Sequence, residues 1–184
     1  MTMALLTPIN LNGTEAIVTD PCYYEGSEHM IHCVKEIQQG GEWKMEIQRA
    51  EMGAFGERVV ELAVVHSSYT IDDEAIPSGM AGVDSGQMSI CGDMDAERFG
   101  NPDDYGPGGF DPEANSGLFN YQGACDITIN RADGAGVLCD VMAVSSTGCG
   151  DGVYPIFVWR NASGIATKIA VDFRDLEEED DDGL

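Results

Sequence analysis

Positive charge is what this sequence has least of. Nine lysines and arginines, only three of them lysines, stand against 33 aspartates and glutamates, for a formal net charge of −24 at pH 7. Affinity for nucleic acid grows with the counterions that Lys and Arg displace from phosphates, so DNA and RNA are not expected partners, and neither is an anionic membrane. Long apolar runs are missing too: none approaches the roughly 20 residues of a membrane span. The opening Met1-Thr2-Met3-Ala4-Leu5-Leu6 lacks the positive flank and length of a signal peptide, so the chain reads as cytoplasmic. No pair of cysteines has CxxC spacing. Cys22, Cys33, Cys91, Cys125, Cys139 and Cys149 are scattered over 184 residues, enough chain to bury a core without cross-links, and reduced, mostly buried thiols are expected.

Helical periodicity is scarce, whereas strand signals are not. Val153 to Trp159 and Ile165 to Phe173 are rich in β-branched and aromatic residues and flank a polar connector ending on Gly164, which predicts a β-hairpin. Trp43, Met45 and Ile47 alternate with Lys44, Glu46 and Gln48, and with Arg58 to His66 they predict a second hairpin turning at Gly53 to Glu57. Further strands are expected over Glu15 to Thr19, Gly82 to Cys91, Cys125 to Arg131 and Val137 to Ser146, while Ser67 to Ala81 reads as acidic turn. The one predicted helix covers Glu28 to Gln39, capped by Ser27 and stopped by Gly40-Gly41. Because strands do not alternate with helices, the expected fold is all-β, mainly an antiparallel sandwich or partly open barrel with one short helix. A single domain over residues 1–174 is expected, interrupted by an irregular acidic, Gly- and Pro-rich insert at 92–123. Asp175 to Asp182 holds seven acidic residues among eight and predicts a self-repelling, disordered tail.

Function signals concentrate at turns. Gly148, Gly150 and Gly152 alternate with Thr147, Cys149 and Asp151 just before the organising hairpin, so its backbone reaches conformations closed to other residues. Asp84, Asp126 and Asp151 sit beside glycine or at expected strand ends, and their convergence would bind Ca or Mg or supply an acid and base pair; Asp84 and Asp151 are the metal candidates. The competing reading is ordinary turn chemistry. The candidate binding set is Asp84, Gln87, Asp126, Cys149, Asp151 and Tyr154. Asp93 to Asp104 has the length of an EF-hand loop but places Arg98 where glycine is required, which rules that motif out. Cys22, His29, His32 and Cys33 match no zinc spacing. The glycine loop lacks a P-loop ending, and no cation is expected near it to hold a phosphate. Asn161-Ala162-Ser163 matches a glycosylation sequon, which has no role without export.

The segments Thr19-Asp20-Pro21-Cys22-Tyr23, Arg58-Val59-Val60-Glu61-Leu62, Val83-Asp84-Ser85-Gly86-Gln87 and Ser146-Thr147-Gly148-Cys149-Gly150-Asp151-Gly152-Val153-Tyr154-Pro155 together resemble a family of bacterial and phage proteins filed as a domain of unknown function (DUF4241-like). The resemblance implies a β-rich single domain in bacteria or their viruses and brings no activity, cofactor or catalytic residue. From charge and the lack of a joined nucleophile and base, the expected function is a non-enzymatic binding protein for a basic partner, needing no cofactor. The alternative is a cation-dependent module or hydrolase built on Asp84, Asp126 and Asp151.

Overall fold

A computed structural model describes residues 2–23, 30–100, 110–111, 113 and 116–174, with the side chains of 2–5 left aside. The chain is a sandwich of two antiparallel sheets, and no barrel closes. The larger sheet has β1 (Thr2–Ile9), β4 (Trp43–Glu51), β5 (Glu57–His66), β11 (Ala166–Asp172), β10 (Gly152–Arg160) and β6 (Glu74–Val83) in the spatial order 1-4-5-11-10-6. The smaller has β3 (His32–Lys35), β2 (Glu15–Thr19), β7 (Gln87–Gly92), β9 (Met142–Ser146) and β8 (Ala135–Leu138) in the order 3-2-7-9-8.

The alternation read along β4 is the burial pattern observed: Trp43, Met45 and Ile47 are buried and Lys44, Glu46 and Gln48 are not. Residues two apart share a face of a strand, so apolar residues at that period bury one face and wet the other. In β7 both faces are covered. Met88 and Ile90 point into the core between the sheets. Cys91 points outward into a second cluster with Phe99, Ala124, Ile127, Leu138, Met142 and Val144. That outer layer is closed by α2 (Tyr121–Asn130). Preceding β8, α2 roofs the small sheet much as a third sheet would.

The hairpin β10–β11 forms as expected, with Phe157 opposite Ala170 and Val158 opposite Ile169. Gly164 takes φ +80°, and the Asn161 side chain accepts from the amides of Ser163 and Ile165. The asparagine of the sequon therefore folds the turn.

Four expectations are corrected. Residues 30–39 are not helical: His32–Lys35 pairs antiparallel with β2, Ala16 facing Val34, and Glu36 at φ +58° leaves helical space. His, Cys and Val are poor helix formers, and an open sheet edge outweighs their weak local preference; residues 24–29 lie outside the described set. Cys125 to Arg131 is not a strand but most of α2, whose Asn120 caps the Gly123 amide at 3.0 Å. The Cys125/Ile127/Ile129 alternation was misleading, because Ile129 is 66% exposed while Ala124 and Cys125 are buried, a helical rather than a pleated face. Ser67 to Ala81 is not all turn, since Glu74–Val83 is an edge strand paired along the length of β10. Its outer half is exposed and polar enough to look like loop. Val137 to Ser146 is two strands, turned by Cys139 and Asp140 at φ +50° and +62°, the conformation of a two-residue hairpin loop. Within the expected irregular insert, Asp93–Ala96 forms the single-turn α1. The expected disordered tail, residues 175–184, lies outside the described residues.

Candidate functional site

Two of the four crossovers between the sheets run from β6 to β7 through 84–86 and from β9 to β10 through 147–151. Two registers hold them side by side. Val83 faces Gly152 in the larger sheet, and Gln87 faces Ser146 in the smaller. Thr147 donates its amide to the Gly86 carbonyl at 3.0 Å. Gly150, at φ +102°, comes so near that a Cβ on Gly86 would meet its Cα at 4.0 Å. The Thr147 hydroxyl and the Tyr154 phenol both donate to the Gly150 carbonyl, at 2.6 and 2.7 Å, which fixes the glycine loop from within.

The residue that ties the third loop to these two is Asp20, buried completely. Its Oδ2 accepts from the amides of Asp84 at 2.9 Å and Ser85 at 2.7 Å. Its Oδ1 accepts from the Ser85 hydroxyl at 2.6 Å and the Cys22 amide at 2.9 Å. Four donors on one carboxylate compensate the burial of its charge. The segments 20–23, 84–87 and 146–152 thus meet at one end of the sandwich. Asp20 was passed over in the sequence because Asp-Pro reads as a strand stop; its signal was the second acidic turn at Asp84-Ser85 that needed an acceptor.

The individual candidates stand as follows. Asp84 is exposed and accepts from the Tyr23 phenol, a bond that pushes the Tyr23 hydroxyl well above its ordinary range. Asp151 is exposed in the adjacent crossover. Asp126 lies on α2, held by the Ser116 hydroxyl at 2.5 Å and Asn130 at 2.8 Å, and these bonds, Asn130 first, lower its carboxyl. Gln87 is buried, donates to the Cys125 thiol at 3.2 Å, and leaves its Oε1 without a partner among the described residues. Cys149 is exposed. Tyr154 is buried edge-on to Phe173 at 5.2 Å. Asp84 and Asp151 are therefore brought together in neighbouring loops, while Asp126 is engaged elsewhere. Among the described residues no group of three His, Cys, Asp or Glu could hold a metal ion.

Burial first, then the charge and hydrogen bond of Asp20, push the Cys22 thiol up to about 12. Burial raises the Cys125 and Tyr121 groups as well. His66 is far from idle: its ring bonds Ser68 and the Gly40 carbonyl, at 2.7 and 2.5 Å. Of the unmatched zinc set, Cys33 donates to Glu15 and His32 bonds Ser78, and His29 lies outside the described residues. The carboxylates of the rejected EF-hand window are also engaged, Asp93 by the amides of Thr14 and Glu15 and Asp95 by Asn12.

One expectation about the glycine loop is overturned. Cations do wait beside it: Arg49, Arg58 and Arg131 line a pocket of about 470 Å³ together with Thr147, Gly148 and Gly150. The thiols are less buried than expected as well, two buried, two half-buried and two exposed.

No family model, curated protein or solved structure matches the chain. Among the described residues no helix is long and apolar enough to cross a membrane.

Proposed function

We propose that the chain is a non-enzymatic binding protein that engages a basic partner through the end of the sandwich where its crossovers meet. The observation that supports this is the pair of exposed carboxylates, Asp84 and Asp151, presented by adjacent loops with no nucleophile and base assembled beside them among the described residues. A formal charge of −24 steers a cationic partner from a distance, and the two carboxylates give it a place to dock. The motif resemblance belongs to the same proposal: a protein of bacteria or their viruses, acting in the bacterial cytoplasm.

Capture from lysate at low and raised salt, beside the variant Asp84→Asn/Asp151→Asn, tests it. Partners held by charge should be recovered at about 0.1 M salt, fall away near 1 M as the Debye length shrinks from about 10 to 3 Å, and be recovered poorly by the variant. Recovery of nothing at low salt removes the reading.

A second reading, a Ca or Mg module on Asp84 and Asp151, draws on the same adjacency. With two side-chain carboxylates it would need backbone carbonyls or water to complete the six to eight oxygens that Ca takes. It requires Ca, Mg or Mn to raise the melting temperature, by about 2.7 kcal/mol of stability at a hundred times the dissociation constant; the absence of a shift with all three ions ends it.

A further inference from the structure

We propose that the pocket between the β4–β5 turn, the end of α2 and the 147–150 loop binds a phosphorylated small molecule carrying a flat ring. The inference is independent of the partner reading, which rests on carboxylates; this one rests on arginines.

The chain has six arginines. Four have side-chain partners: Arg49 with Glu57, Arg98 with Asp95, Arg160 with the carbonyls of Gly164 and Lys35, and Arg174 with Asp172. Arg58 and Arg131 are exposed and make no side-chain hydrogen bond or ion pair among the described residues, and both line this pocket. In a chain this acidic, free guanidinium groups would ordinarily find one of its many carboxylates. Here two make no such contact on the same cavity, Arg131 feeling only the longer-range pull of Asp126, with a third beside them. Arg49 is locked in place, its Nη1 donating to the Asp133 carbonyl at 2.7 Å and its Nε to Glu57 at 3.3 Å. Arg131 is seated over Gly136, where a Cβ would fall 2.4 Å from its Nη1, so glycine at that position is what makes room for the guanidinium.

The glycine loop lines the cavity with residues whose amides are in part unspent. Thr147 and Gly150 spend their amides on Gly86 and Thr147 carbonyls, whereas those of Gly148 and Cys149 have no partner among the described residues. Glu57 and Asp133 also line the cavity, and Asp126 acts on Arg131 from beyond the lining, so three guanidinium groups face two lining carboxylates in a molecule that is otherwise strongly acidic. Guanidinium forks and successive free amides suit an anion with several acceptor oxygens, and a phosphate has three to offer where a carboxylate has two. A volume of about 470 Å³ is far more than a phosphate ion fills and within the range of small-molecule sites. Phe55, 58% exposed at the rim, gives a ring something to stack on.

Titration calorimetry on the full chain with pyrophosphate, ADP and citrate tests the assignment. Pyrophosphate and ADP should bind, and Arg58→Ala and Arg131→Ala should each weaken both by about tenfold, as for loss of a charged hydrogen bond. Arg98→Ala, an arginine away from the pocket, should leave both unchanged. Phe55→Ala should weaken ADP and spare pyrophosphate. If a melt shows an alanine variant unfolded, Arg58→Lys/Arg131→Lys keeps the charge, loses the fork, and should still weaken binding. Absence of heat with both phosphates, citrate binding as tightly as pyrophosphate, or arginine variants that bind like the parent would overturn the proposal, and an unchanged ADP affinity in Phe55→Ala would overturn its ring.

Discussion

Asp20 and Ser85 are joined twice, the serine donating its amide to Oδ2 at 2.7 Å and its hydroxyl to Oδ1 at 2.6 Å. A carboxylate buried completely thereby becomes the clamp that sets the β6–β7 crossover against the loop after β2. Asp20→Ala should cost about 3 kcal/mol, because the amides of Asp84, Ser85 and Cys22 lose their acceptor together in a dry site. Asp20→Asn, which keeps one acceptor oxygen, should cost less. Denaturant melts of the two variants beside the parent decide it, and a loss below about 1 kcal/mol for alanine would mean that water replaces the carboxylate.

His32 gives the protein a pH-dependent stability. Its ring, bonded to Ser78 at 2.9 Å, has its pKa lowered from 6.5 by burial. Below pH 6.5 the unfolded chain therefore binds a proton that the folded one refuses, so stability falls as pH drops through 6.5 and levels off below the folded pKa. The slope cannot exceed about 1.4 kcal/mol per pH unit for one proton. His32→Asn should flatten the difference between melts at pH 7.5 and pH 5; an unchanged slope would assign the effect to other groups.

Thiol reactivity should follow exposure and protonation. Cys149 is exposed on the glycine loop. Cys139 is exposed but donates to the Gly117 carbonyl and is raised by partial burial. The thiols of Cys22 and Cys33 are pushed up to about 12 and about 11, and Cys91 and Cys125 are buried. Since the thiolate is the reacting species, labelling with a disulfide reagent at pH 8 should modify Cys149 first and Cys22 only after unfolding. Mass spectrometry of the time course reads the order directly, and early loss of Cys22 would contradict the protonated site.

A cut after Arg174 should leave the fold standing. Phe173 is the last fully buried of the described residues, and its amide reaches the Val60 carbonyl at 2.9 Å. Everything beyond Arg174 is an acidic run that has no apolar surface to bury except Leu176 and Leu184. The stability change should stay within about 0.5 kcal/mol, read by a denaturant melt; a loss of several kcal/mol would show that the tail packs on the body.

Strands whose neighbours impose only an inside and an outside are written locally. Trp43 to Gln48 announces its register because every second residue is apolar, and the β10–β11 turn announces itself through Asn161 and Gly164. Where an element is chosen by what lies across from it, the local text misleads. Residues 32–35 became a strand because β2 offered an edge, and 121–130 became a helix because the outer face of β7, β9 and β8 needed a cover, with Asn120 as the only local clue. The same division holds for the sites. That Asp84 and Asp151 belong to loops follows from the glycines beside them. That these loops run side by side, that Asp20 clamps one of them, and that Arg49, Arg58 and Arg131 surround one cavity depends on strand order and register, because long-range pairing alone brings residues so distant in the chain to one place.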